Sequence, residues 1–505
     1  SYASRAGIGE PGARDMSHRT ARDVRSALDH PVVDGDGHFV EIWPLAHEEI
    51  VAYVEKEGGA RLRDRFLEGH AKPLDTTAVA GDRAGADAAR AARDRWQAKS
   101  SWWGWPCENV LDRATAHLPA LLYERLDEMG IDFAVLYPSM SLGFLDLLDD
   151  ELAPVLCRAV NARHARLFAP YADRIAPGAI LAMNTPEGAV ATLDHAVDLG
   201  LKAGAISGFV RRPIAKLERE HGRLDPPVTR YDTYGLDSAF DYDPFWQRCC
   251  DHGFAPISHS STQQHHVARS VSSYVYNHVG GLSRGHEALC KSLLLGGVTR
   301  RFPQLRVGFL EGGVAWACSL FADLLGHWEK RNAGAIRALD PARLDVDALL
   351  AHFDAHGTPE VKAAREALRA YYGSPGARPE QLDEFEAAGI ERAEDLRDRF
   401  VPHFYFGCEA DDPLAAWAFA EDVNPFGVRL RAMLGSDISH WDVTDMTEPI
   451  PEAYEAVERG RMSERDFRDF AFANAVRLHG GMNPRFFEGT RVEAAAADVL
   501  AKERA

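Results

Sequence analysis

Eight short apolar runs recur along the chain, and helical stretches separate most of them. They lie at 31–36 (PVVDGD), 133–138 (FAVLYP), 175–183 (IAPGAILAM), 203–206 (AGAI), 255–259 (APISH), 306–310 (RVGFL), 403–407 (HFYFG) and 432–436 (AMLGS). Runs this short and this apolar suit strands of a parallel sheet whose outer face is covered by helices. Between them, 149–172 carries apolar residues at helical spacing. The stretch 186–199 follows Thr185 as N-cap with Pro186 in the first turn, and 242–252 stops at Gly253. Thr before Pro opens a helix and Gly closes one. Strand and helix alternating eight times predict an α/β fold, a (β/α)8 TIM barrel. A doubly wound open sheet is the alternative, but it would show a Gly-rich phosphate loop after the first strand, and none follows residue 36.

The chain is long for one domain, at 505 residues, yet α/β barrels often run long as one unit. A hydrophobic share of 46% provides for a large core. The net charge of −19 repels phosphate backbones and anionic membranes, so neither nucleic acid nor membrane is expected as a partner. Residues 1–30 read as a flexible tail with no secretory signal, and Met16 as a possible natural start. The barrel is expected over 31–490 and a C-terminal tail over 491–505. Seven scattered cysteines, without a C-x-x-C pair, argue for reduced thiols and a cytoplasmic protein.

Two stretches exceed what a minimal barrel needs. Residues 44–125 and 325–400 are both expected to be helical insertions. The first contains Trp96, Trp102, Trp103 and Trp105. These tryptophans suit a packed core or subunit interface. They equally suit an aromatic lid, with Trp103 as the substrate contact.

The residues that carry chemistry fall at strand ends. The first run closes in Asp34-Gly35-Asp36-Gly37-His38, and alternation along a strand puts Asp34, Asp36 and His38 on one face. The bland account is a polar turn capping the strand. His259 ends the fifth run and Asp437 the eighth, with His440 three residues on. An Asp beside a buried strand costs free energy unless something pairs it, and a metal or an Arg would do so. Asp36, His38, His259 and Asp437 thus form a candidate site for one divalent metal at the barrel mouth. Mixed nitrogen and oxygen ligation favours zinc, with manganese or iron as alternatives.

With these residues in view, the chain resembles the amidohydrolase superfamily, in the branch of aminocarboxymuconate-semialdehyde decarboxylase. The start D-G-D-G-H-F-V-E, Gly130-Ile131-Asp132, Arg301-Phe302-Pro303-Gln304-Leu305-Arg306, Gly435-Ser436-Asp437 and Asn483-Pro484-Arg485-Phe486-Phe487 carry the resemblance. It implies a distorted TIM barrel, one divalent metal, a helical C-terminal tail and a homodimer. Asp36 stands where many members have His or Glu. Glu311 stands where well-known members place a catalytic His, and reads as a metal ligand, a proton shuttle or a partner for a histidine. His278 is the candidate acid/base in its stead. His440 lines the pocket, and Arg211 meets a substrate carboxylate, unless it and Arg212 are a solvated basic pair.

The resemblance implies two chemistries for a small, aromatic substrate: hydrolysis through a metal-activated water, which we favour, or nonoxidative decarboxylation of an aromatic or enoic acid. A binding barrel that has lost its chemistry is the third reading.

Overall fold

The eight expected strands are present. In the computed structural model, which describes residues 19–70, 93–99, 101, 104–222, 224, 227–259, 269–374, 376 and 381–504, ten strands occur. They are β1 (Val33–Phe39), β2 (Phe133–Pro138), β3 (Ile175–Ile180), β4 (Ala203–Ile206), β5 (Val210–Pro213), β6 (Thr229–Asp232), β7 (Pro256–Ser258), β8 (Val307–Phe309), β9 (Phe404–Glu409) and β10 (Arg431–Gly435). The order β1-β2-β3-β4-β7-β8-β9-β10 forms one sheet in which each printed pairing is parallel. Two backbone bonds bring its ends together: His38 N donates to Ile438 O at 2.8 Å, and Asp437 N donates to Asp36 O at 2.9 Å. The result is a nearly closed barrel with β1 and β10 meeting at the C-terminal rim.

β5 and β6 pair antiparallel outside the barrel, Arg211 opposite Tyr231. Their sequences, VRRP and TRYD, have no apolar run, so the pattern that marked the other strands is missing from them. β1 carries a second departure. Its register with β2 slips between Asp34 and Gly37, a bulge of one extra residue. Asp34 therefore does not share a face with Asp36 and His38 as strict alternation predicted. Its carboxylate turns to β10, accepting from Ser436 N at 2.9 Å and Ser436 Oγ at 2.6 Å. The glycines permit this close approach: a Cβ on Gly37 would lie 2.7 Å from both Asp34 Oδ2 and Leu136 Cδ2.

The helices follow their sequence signals. Thr185 Oγ1 accepts from Gly188 N at 3.1 Å, with Pro186 in the first turn of Pro186–Asp198. Gly253 closes Asp243–His252 in the left-handed conformation at φ 62°. The first insertion contributes Trp43–His70, with non-helical backbone at Gly59, then Val110–His117 and Pro119–Arg125. The second adds Val346–His356, Pro359–Ala363, Arg365–Tyr372 and Ala393–Phe400, of which Arg365–Tyr372 buries no residue. The segment expected to be flexible through residue 30 instead contains the helix Ala21–Ala27, because Ala21 and Val24 are buried and Arg25 pairs with Asp132. A C-terminal helix runs over Glu493–Arg504. Among the described residues, no helix is long and apolar enough to cross a membrane.

Candidate metal centre

Five acid or imidazole side chains converge where four strands end. β1 supplies Asp36 and His38. His259 follows β7 directly, Glu311 stands two residues after β8, and Asp437 two residues after β10. His38 Nε2 lies 3.1 Å from Glu311 Oε1 and 3.1 Å from Asp437 Oδ1. His259 Nε2 lies 3.3 Å from Asp36 Oδ1 and 3.7 Å from Glu311 Oε1. The Asp36, His38 and His259 side chains are at most 2% exposed. Ser139 Oγ, 3.1 Å from His38 Nδ1, fixes that ring with Nε2 toward the centre.

This packing is expensive without a cation. Asp36 Oδ1, Asp437 Oδ1 and both ring nitrogens of His259 are buried without a hydrogen-bond partner. Burying such a group unpaired costs about 1–3 kcal/mol each. Burial, then Glu409 and Asp442, push the Asp437 carboxyl well above the usual range. Burial, then Glu311 and Asp442, do the same to Glu409. The His38 imidazole is held up at about 10: burial pulls it down, but Asp437 and then Glu311 outweigh burial. Converging acids that repel one another, with imidazole nitrogens aimed at the same point, fit a divalent ion with mixed nitrogen and oxygen donors.

Backbone strain marks the same positions. Glu311, Asp437 and Ser439 have φ of 56°, 52° and 68°, a region that non-glycine residues seldom occupy. The loop after β10 is pinned from the first insertion, where Trp105 Nε1 donates to Ser439 O at 2.9 Å. His440 Nδ1 lies 2.7 Å from Asp437 Oδ2 and 2.6 Å from Asp442 Oδ1.

The centre floors a cleft of about 730 Å³, lined by Glu311, Asp437, His440 and His278 among others. His278 stacks on Tyr274, with ring centroids 5.1 Å apart, and burial lowers its basicity. Arg211 is not among the lining residues; its Nε donates to Asp146 Oδ1 at 3.0 Å. Trp103 lies outside the described residues, as do His265 and His266. Glu409 and Asp442 were missed in the sequence. Glu409 ends β9 as Asp437 follows β10, so the same cue of an acid at a strand end would have found it.

The sequence pattern described as "Amidohydrolase" matches residues 33–481. The chain belongs to the amidohydrolase family. The match spans the barrel and its metal-donor residues, so this amidohydrolase is a metal-dependent enzyme. No curated protein matches it. Among solved structures, it is similar to an amidohydrolase from Mycobacterium avium subsp. paratuberculosis, at TM-score 0.50 and 17% identity. That match covers 90% of this chain and 100% of the other. It is also similar to 5-carboxyvanillate decarboxylase from Sphingomonas paucimobilis, at TM-score 0.45 and 15% identity, covering 89% and 98%. A dihydroxybenzoic acid decarboxylase from a Polaromonas species, solved with bound manganese and an inhibitor, matches at TM-score 0.45 and 14% identity, covering 89% and 97%.

Proposed function

We propose that this amidohydrolase hydrolyses a small organic substrate, with Asp36, His38, His259 and Asp437 holding one divalent ion and Glu311 completing the donor set. The observation that carries the reading is the convergence of these side chains around unpartnered buried atoms of Asp36, His259 and Asp437. The ion, zinc in this reading with manganese or iron as alternatives, supplies Lewis-acid polarisation of the bond to be broken.

The chain's own groups manage the protons. Asp437 presents one oxygen to His38 and the other to His440, so it is placed to take the proton of an attacking water. His440, between Asp437 and Asp442, passes that proton outward. His278 lines the cleft and protonates the leaving group; its lowered basicity makes it a readier acid. The tryptophans of the first insertion, Trp103 with them, cover an aromatic body of the substrate. The protein works in the cytoplasm as a homodimer, whose second copy covers the solvent-facing second insertion, where Tyr371 is 75% exposed.

The test is product analysis on the zinc- or manganese-loaded chain, offered aryl esters, aryl amides and aromatic acids in water enriched in oxygen-18. Hydrolysis predicts label in the product carboxylate, lowered about 100-fold or more by Asp437→Asn. Release of CO₂ from the acids, with no labelled carboxylate from any ester or amide, would assign the chain to the decarboxylases instead.

A further inference from the structure

Beyond the donor acids, six more carboxylates line the cleft above the centre: Glu409, Asp411, Asp442, Asp445, Glu448 and Glu452. Among the described residues, no Lys or Arg lines it. The two arginines best placed by sequence to meet an anion are engaged elsewhere. Arg211 bonds to Asp146, and Arg212 to Asp232, Tyr242 Oη and Asn184 O. One divalent ion on the floor leaves most of this negative charge uncompensated, and low-dielectric walls focus it. The wall acids also repel one another: burial, then Asp411 and Glu448, hold the Glu452 carboxyl above its ordinary range. A ligand belongs in this space on independent grounds, because Asp437, 3% exposed and at its floor, keeps Oδ1 without a hydrogen-bond partner. Near that floor the lip is apolar and aromatic, with Val279, Leu282 and the His278 ring.

We propose that the substrate is a cation, an amine or ammonium group on a small apolar body, with the charge held by Asp411 and Glu452 while the reacting bond lies at the metal donors. This deepens the hydrolase reading and rests on it for the chemistry, but not for the charge. A substrate carboxylate entering the same cleft would meet like charge from every acidic wall, so the selectivity runs against aromatic acids.

Equilibrium binding separates the possibilities. The zinc-loaded full chain is titrated with benzylamine, benzyl alcohol and benzoate, which share a ring and differ in charge. The proposal predicts benzylamine binding at least about 10-fold tighter than benzyl alcohol, with benzoate weakest. It further predicts that the preference falls about 10-fold in the Asp411→Asn, Glu452→Gln double variant, at unchanged zinc content. Benzoate binding as tightly as benzylamine would overturn it. So would an undiminished preference in the double variant, or a second equivalent of zinc that the double variant loses. Selective benzylamine binding by a chain that hydrolyses no ester or amide would support the charge selectivity while removing the hydrolase reading.

Discussion

Glu311 shows how much one residue can reveal. It occupies the left-handed region at φ 56° and lies 3.1 Å from His38 Nε2, so local strain is held where the donors meet. Two variants isolate the strain, since Glu311→Ala and Glu311→Gly lose the same carboxylate and differ in tolerance for positive φ. In metal-free protein, Glu311→Gly is expected to be more stable than Glu311→Ala by about 1 kcal/mol, read from denaturant midpoints. An Ala variant at least as stable would show that the backbone there relaxes freely. At this scale the sequence was readable wherever a polar residue closed an apolar run: Asp36, His38, His259, Glu311 and Asp437 all stood out that way. Asp34 was misread because a one-residue bulge is invisible in the pattern DGDGH, and it turns that side chain onto Ser436. Asp442 was missed because it follows no strand; only the turn after β10 brings it to His440.

At the scale of elements, the barrel strands were legible because each is buried on both faces and therefore uniformly apolar, as in Phe133–Pro138. The β5–β6 pair lies outside that sheet and owes nothing to such a pattern. One buried histidine leads into a strand. His403 precedes β9, its ring Nδ1 lies 2.7 Å from Leu305 O, and burial holds its pKa down at about 4. A histidine depressed in the folded state contributes stability that is present above its unfolded value near 6.5 and is lost as pH falls toward 4. His403→Asn removes that contribution. Between pH 6.5 and 4, the variant's stability should fall less steeply than wild type, by about 1.4 kcal/mol per pH unit at most, in urea titrations across that range. Parallel pH profiles would mean that His403 titrates alike in folded and unfolded chains.

Across the whole molecule, the site depends on closure. Two hydrogen bonds, from His38 N to Ile438 O and from Asp437 N to Asp36 O, bring the first and last strands of the barrel together and set Asp36 beside Asp437, about 400 residues apart in sequence. No local pattern encodes that meeting, which is why the donors were individually visible and their distances were not. The most direct test is metal content, by elemental mass spectrometry, on purified wild type and on His259→Ala and Asp437→Ala chains. The account predicts one equivalent of a divalent metal per wild-type chain and its loss in both variants, with the fold retained by circular dichroism. A wild-type chain that holds no metal and takes up none on dialysis against zinc or manganese would contradict it.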